Sequence, residues 1–201
     1  MLIVPGRPED APAAARLIAQ TAPGLFRLLA AGEEATLLKL FAYEWQKDGG
    51  IFASTMAQVV RNGDEVLAVL ISYTERQHAA MEFIFAAPPE RVPPDFVRRV
   101  NERNRSLSYL FPAVPQGAYY VQNLAVATAA RRQGLGRALL EWAFADALRN
   151  GCAHLHLDVE QEETAAVRFY EQLGLRVLVE TTVRGPGVPR YYRMVKELCS
   201  T

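Results

Sequence analysis

The chain has 201 residues, 50% of them hydrophobic, with Lys plus Arg equal to Asp plus Glu at 22 each. That length suits one domain, 1–201, with enough chain to bury a core, and a balanced charge lacks the basic excess that nucleic-acid binding uses. Two cysteines, Cys152 and Cys199, cannot form a framework of staples, and no apolar run reaches the length of a membrane span. With Arg7, Glu9 and Asp10 following Val4 there is no signal-peptide core. A cytoplasmic protein is expected, with neither nucleic acid nor membrane among its partners.

Leu2 to Val4 reads as an edge strand ended by Pro5-Gly6. Asp10 before Ala11-Pro12 reads as an N-cap, starting a helix through Ala14, Leu17 and Ile18 that Pro23-Gly24 closes. Leu25 to Leu29 is expected as a short helical turn, and Gly32 separates it from a helix with Leu37, Leu38, Phe41 and Trp45 on one face, stopped by Gly49-Gly50. Met56 to Arg61 and Glu65 to Thr74 are strand-like and flank Asn62-Gly63-Asp64, a hairpin signal because Asn-Gly accepts positive φ cheaply. Prolines 88, 89, 93, 94, 112 and 115 then bound a helix from Asp95 to about Leu110, anchored by Phe96, Val100 and Leu107.

Ala118 to Val126 is aromatic and β-branched, as suits a strand. Arg131-Arg132-Gln133-Gly134-Leu135-Gly136 follows, and from Leu135 the apolar positions Leu139, Ala143, Ala147 and Leu148 recur at helical spacing. The turn therefore lies at a helix N-terminus, where unpaired N–H groups and the macrodipole favour an anion. Gly134 and Gly136 allow close approach, and Arg131, Arg132 and Arg137 add charged donors suited to phosphate. A diphosphate clamp is the reading. It is not a P-loop, since Arg137-Ala138 follows the last glycine where Lys and Ser/Thr are needed, and it lacks the third glycine of a dinucleotide fingerprint.

Downstream, Asn150-Gly151 makes a C-cap, His154 to Val159 a fifth strand, and a helix runs from Thr164 to its stop at Gly174. Val177 to Val183 and Arg190 to Val195 are expected as the last two strands. Strands four and five, joined by a crossover helix, should be parallel; the hairpin strands and the last pair should be antiparallel, which makes a mixed sheet with helices on both faces.

The run Leu124-Ala125-Val126 followed by Arg131-x-x-Gly134-x-Gly136 resembles the acetyl-coenzyme A signature of the GCN5-related N-acetyltransferase (GNAT) family. Leu155 to Val159 followed by Thr164 to Leu175, with Phe169-Tyr170-Glu171-Gln172-Leu173-Gly174, resembles the family's other motif, in the family's order and spacing. The resemblance covers residues 118–183, with 77–117 the least similar stretch. It implies an α/β GNAT fold with a central mixed, mostly antiparallel sheet of about seven strands. It also implies acetyl transfer from coenzyme A to the primary amine of a small molecule or a peptide, and leaves a homodimer open. A non-catalytic acyl-coenzyme A sensor on the same fold is the alternative.

Carried over by resemblance, the cofactor-binding residues are Leu124, Ala125 and Val126, the N–H groups of Gln133, Gly134, Leu135, Gly136, Arg137 and Ala138 with the flanking arginines Arg131, Arg132 and Arg137, and Phe169 and Tyr170. The Val126 N–H is the expected donor to the thioester oxygen, and Tyr170 the proton donor to the departing thiolate. The base is less defined. Several relatives carry Glu where this chain has Gln122, leaving Asp158, Glu82 and Tyr120, with a structural role for Asp158 favoured over catalysis. Glu163 replaces an Asn common in the family. No metal is expected, because His154, His156 and His78 lack supporting ligand spacing. The arginines 98, 99, 103 and 105 read as a solvated helix face balanced by Glu102, and 77–117 is expected to border the acceptor.

Overall fold

The computed structural model describes residues 2–81, 84–85, 91–181 and 185–198. Seven strands form one sheet in the order β1-β2-β3-β4-β5-β7-β6: β1 Leu2–Pro5, β2 Ala57–Asn62, β3 Glu65–Thr74, β4 Ala118–Val126, β5 His154–Glu160, β6 Arg176–Glu180 and β7 Tyr191–Glu197. All neighbours are antiparallel except β4 and β5. The crossover between those two is α6, Leu135–Arg149, which is the connection a parallel pair requires. No helix among the described residues is long and apolar enough to cross a membrane.

Helices cover both faces, because the strand period of two divides the side chains between two cores. On one face lie α1 Ala11–Ile18, α2 Pro23–Ala30, α3 Glu34–Gln46 and α5 Pro94–Leu107, packed with Val59, Val69, Ile71 and Tyr120 of the sheet. On the other lie α6 and α7 Thr164–Gln172, packed with Leu70, Tyr119, Val121, Leu157 and Met194. A short helix, α4 Glu75–Ala79, follows β3 and is capped by Thr74, whose hydroxyl accepts from the Gln77 N–H.

Several local expectations are corrected. Asp10 precedes α1 but does not cap it with its side chain; the carboxylate accepts from the Arg7 N–H at 2.8 Å and pairs with Arg61 of β2. A charged guanidinium offers more than the helix end does. Pro23-Gly24 does not close α1 but opens α2, with Pro23 in the first turn where a missing N–H costs nothing. In the hairpin Asn62 stays in β2, paired with Glu65, and Gly63 alone takes the positive φ, +59°. The helix from Pro94 ends at Leu107 and tightens into a 3-10 turn, Ser108–Leu110. Leu38 is only half-buried, and Leu40 takes the core place. β6 starts at Arg176 and ends at Glu180, with 182–184 outside the described residues, as are Glu82, Pro88, Pro89 and Cys199.

Candidate active site

β4 and β5 pair only from Ala118↔His154 to Val121↔Leu157; beyond that rung β4 runs on to Val126 and β5 to Glu160 with no pairing between them. The cause lies in the β3–β4 ladder, which passes from Ile71↔Asn123 to Ser72↔Val121 and leaves Gln122 as an extra residue. Such a bulge bends the strand and increases its twist. It also turns two successive side chains to one face: Tyr120, Gln122 and Asn123 all line one cavity, while Tyr119, Val121, Leu124 and Val126 pack on the other side.

The backbone in the wedge is oriented by the same ladder. The Ala127 N–H donates to the Leu67 carbonyl at 2.8 Å, so alternation directs the amides of Leu124 and Val126 away from β3 and into the gap. At the far end of β4 the chain enters the clamp. Gly134 is the N-cap of α6 at φ +81°, and Arg132 also takes a positive φ, +63°. These left-handed residues curl successive N–H groups into a concavity before the helix. One expected donor is removed: the Ala138 N–H already donates to the Gly134 carbonyl at 3.0 Å, closing the first helical turn. Arg131 is a strut, its guanidinium donating to the Val126 carbonyl at 3.2 Å and to Gln20 at 3.3 Å. Arg137 pairs with Glu141 one turn on, at 3.5 Å.

Gly136 is where three elements meet, since a Cβ placed there would lie 3.4 Å from Phe169 of α7 and 3.6 Å from Val126 of β4. Tyr170, next to Phe169 on α7, belongs to the same buried cluster as Leu135, against which Val126 packs. Tyr170 is buried, and burial pushes its phenol up to about 12, so it holds its proton at neutral pH. Glu163, the N-cap of α7, is exposed and makes no side-chain cap.

On the opposite face the first residues past the last paired rung, Gln122 and Asp158, both line a cavity of about 500 Å³. Asp158 is not a solvated carboxylate. Arg193 of β7 grips it with Nε on Oδ1 at 2.6 Å and Nη2 on Oδ2 at 2.7 Å, and the Tyr120 hydroxyl donates to Oδ2 at 2.8 Å. The carboxylate and guanidinium side chains are 3% and 2% exposed. Burial, with Asp158 beside it, raises the Tyr120 phenol well above its usual range. Tyr120 is thereby a donor and not the base. Gln122 accepts from the Tyr73 hydroxyl at 2.5 Å. His78 also lines the cavity, and burial followed by the Arg193 charge lowers its imidazole, which favours the neutral form.

Residues 77–117 do border this cavity, through Phe85, Asn101 and Phe111 among others. α2 supplies a further part of the wall through Leu25, Phe26 and Leu29, which sequence reasoning missed. Thr21 closes one end by accepting from the Asn123 amide at 2.7 Å, and the Asn123 Oδ1 is buried without a partner among the described residues. The arginine face of α5 is only partly solvated: Arg99 pairs with Glu33 at 2.7 Å and Arg103 donates to the Leu29 carbonyl at 2.9 Å, tying α5 to α2 and α3. No cluster of three or more metal-ligating side chains occurs among the described residues.

Residues 100–175 match the model of the acetyltransferase (GNAT) family. The chain has the GNAT fold. A stretch of 62 residues is 44% identical to ribosomal protein bS18-alanine N-acetyltransferase of Escherichia coli (strain K12), covering 31% of this chain and 40% of that protein. The chain thus matches about two fifths of the length of these curated relatives. An N-acetyltransferase from Staphylococcus aureus Mu50 superposes with a TM-score of 0.79 at 16% identity, covering 98% of this chain and 100% of that one. The ribosomal-protein-S18-alanine N-acetyltransferase from Escherichia coli gives 0.54 at 20%, covering 100% and 95%. At these identities the structural likeness speaks for the fold.

Proposed function

We propose that the chain is an acetyl-coenzyme A-dependent N-acetyltransferase that passes the acetyl group directly to a primary amine of a small molecule or a peptide. The observation that carries this reading is the unpaired wedge between β4 and β5, with the glycine clamp and Tyr170 on one side and a cavity ending at Asp158 on the other. A pantetheine arm lying in the wedge would meet the free amides of Leu124 and Val126, and its diphosphate the N–H groups of Gln133 to Arg137. The Val126 N–H is suited to the thioester oxygen, where negative charge develops as the amine attacks.

Nitrogen forms its bond to the carbonyl carbon, the C–S bond breaks, and the thiolate takes a proton or a strong hydrogen bond from Tyr170. A phenol raised to about 12 is a weaker acid than usual, but the same dry surroundings raise the thiol, and the difference between the two decides the transfer. On the acceptor side, Asp158 Oδ1 keeps a lone pair beyond its bond to Arg193 and would receive the ammonium, with His78 as the second group able to take its proton. The relative from Escherichia coli is named for acetylation of an alanine on a ribosomal protein. That is consistent with amine chemistry here and does not choose the acceptor.

The test is coenzyme A thiol release across a panel of amines. Acceptor-dependent release that falls by about 10²-fold in Tyr170→Phe, with unchanged acetyl-coenzyme A affinity, is the expected result. Calorimetric binding of acetyl-coenzyme A with no release for any amine would instead favour the sensor, and absence of binding would leave only a shared fold.

A further inference from the structure

We infer that the acceptor is a monoamine carried on a bulky apolar body, an arylalkyl- or long-chain alkylamine, whose body fills the cavity beneath α2 and α5 while its nitrogen meets Asp158. This rests on the acetyltransferase reading for its chemistry, but its argument comes from the cavity. Away from the sheet the wall is Leu25, Phe26, Leu29, Phe52, Phe85 and Phe111. Its aromatic rings are part of a packed array in which Phe41 stands edge-on to Phe26 and to Phe52, with ring centroids 4.9 Å and 5.0 Å apart. A wall built this way offers contact area and few hydrogen bonds. Polar groups lie at the sheet end, around Asp158 and Arg193, and along α5, with Asn101, Asn104 and Arg105, so the apolar part of the wall is that of α2 and the phenylalanines. At about 500 Å³ the space falls within the roughly 300–1,000 Å³ typical of small-molecule pockets.

Charge excludes the other common amines. Asp158 is the only carboxylate among the described lining residues, and Arg193 already neutralises it. Arg105, exposed at the mouth, adds a positive charge. A polyamine or an aminoglycoside would bring several ammonium groups to a single carboxylate that Arg193 already shares, at a cost that a dry wall increases. One ammonium at Asp158 Oδ1 is what the site can satisfy. A hydrophobic tail then gains with each methylene removed from water, about fourfold in affinity per CH₂.

The experiment compares n-butylamine to n-octylamine, 4-phenylbutylamine, spermidine and an alanine-initiated tetrapeptide, by thiol release and by calorimetric titration into the full chain. Expected are a rise in kcat/KM of about threefold to fourfold per methylene until the cavity is full, 4-phenylbutylamine ahead of spermidine by 10²-fold or more, and saturable binding of 4-phenylbutylamine. Val114→Trp, which narrows the cavity from a half-buried loop position, should weaken that binding at least tenfold and leave acetyl-coenzyme A affinity intact. Should that variant fail to fold, Ala113→Glu at the exposed mouth should raise spermidine turnover about tenfold relative to 4-phenylbutylamine. Thiol release led by spermidine or the tetrapeptide, or a flat alkylamine series, overturns this assignment while the acetyltransferase reading stands. Binding of 4-phenylbutylamine that follows the variants, with no thiol release, keeps the assignment and removes the transfer reaction.

Discussion

Asp158, Arg193 and Tyr120 show how a buried charge is made tolerable. Two charge-assisted bonds from Arg193 and one from Tyr120 hold the carboxylate, the Pro112 carbonyl takes a further guanidinium hydrogen at 2.6 Å, and the guanidinium lies 5.3 Å over the Tyr120 ring. Such a pair gains little over apolar residues, but losing one partner strands the other. Arg193→Met is expected to cost about 3–5 kcal/mol of unfolding free energy in urea, and a loss under 1 kcal/mol would mean that Asp158 is not held as described. His156, paired in register with Tyr120 of β4, has its Nδ1 buried without a partner among the described residues. Burial first, then Arg193 and His154, push its imidazole down from 6.5 to about 4. The folded protein therefore binds fewer protons there than the unfolded chain, so stability is held above pH 6.5 and lost as pH falls toward 4. Unfolding midpoints measured across that window should fall with acid in the native chain and less steeply in His156→Gln.

At the scale of elements, α2 is held by a residue far from it in sequence. Glu160, at the end of β5, accepts from the Gly24 N–H at 3.1 Å, the Leu25 N–H at 3.0 Å and the Tyr191 hydroxyl at 3.0 Å. A carboxylate at a helix N-terminus satisfies orphan donors and complements the dipole, and here it also fixes the helix that carries Leu25, Phe26 and Leu29 into the cavity. A Cβ at residue 24 would lie 2.9 Å and 3.0 Å from the two Glu160 oxygens. Gly24→Ala should therefore destabilise by about 1–3 kcal/mol and raise KM for the acceptor more than for acetyl-coenzyme A. The clamp behaves differently. A methyl at residue 136 meets Phe169 and Val126 at ordinary contact distance, so Gly136→Ala should change unfolding free energy by less than about 1 kcal/mol yet weaken acetyl-coenzyme A binding at least tenfold. Equal affinity in the two proteins would remove residue 136 from the cofactor surface. For Gly134→Asp the protein itself leaves space around the new Cβ, and the loss of binding is expected from the φ of +81° and the added negative charge.

For the whole molecule, the sheet is continuous from β1 to β6, but its centre is held open where β4 and β5 part. A ligand spanning that wedge touches both strands, the start of α6 and α7, and so binds the folded chain and not the unfolded one. Saturating acetyl-coenzyme A at a hundred times its dissociation constant should add about 2.7 kcal/mol to stability. Thermal unfolding monitored with and without it gives the check, and an unmoved midpoint would count against cofactor binding in the wedge.

What the sequence by itself determined was local. Ala118 to Val126 as a strand, Gly134 at the turn, Leu135 as the helix start and Gly174 as a stop were all readable, because side-chain period and left-handed turn positions are properties of a few adjacent residues. The parallel β4–β5 pair followed from the crossover helix between them. Only the tertiary structure decided what meets across the chain. No local pattern announces that Gln122 is an extra residue in the ladder, that Asp158 faces Arg193, or that Glu160 reaches Gly24 across 136 residues. Each of these depends on strand register and on which helix lies over which strand end. A buried carboxylate, once placed by that register, takes whatever donors the packing brings to it, since leaving it unpaired costs more than almost any single contact gains.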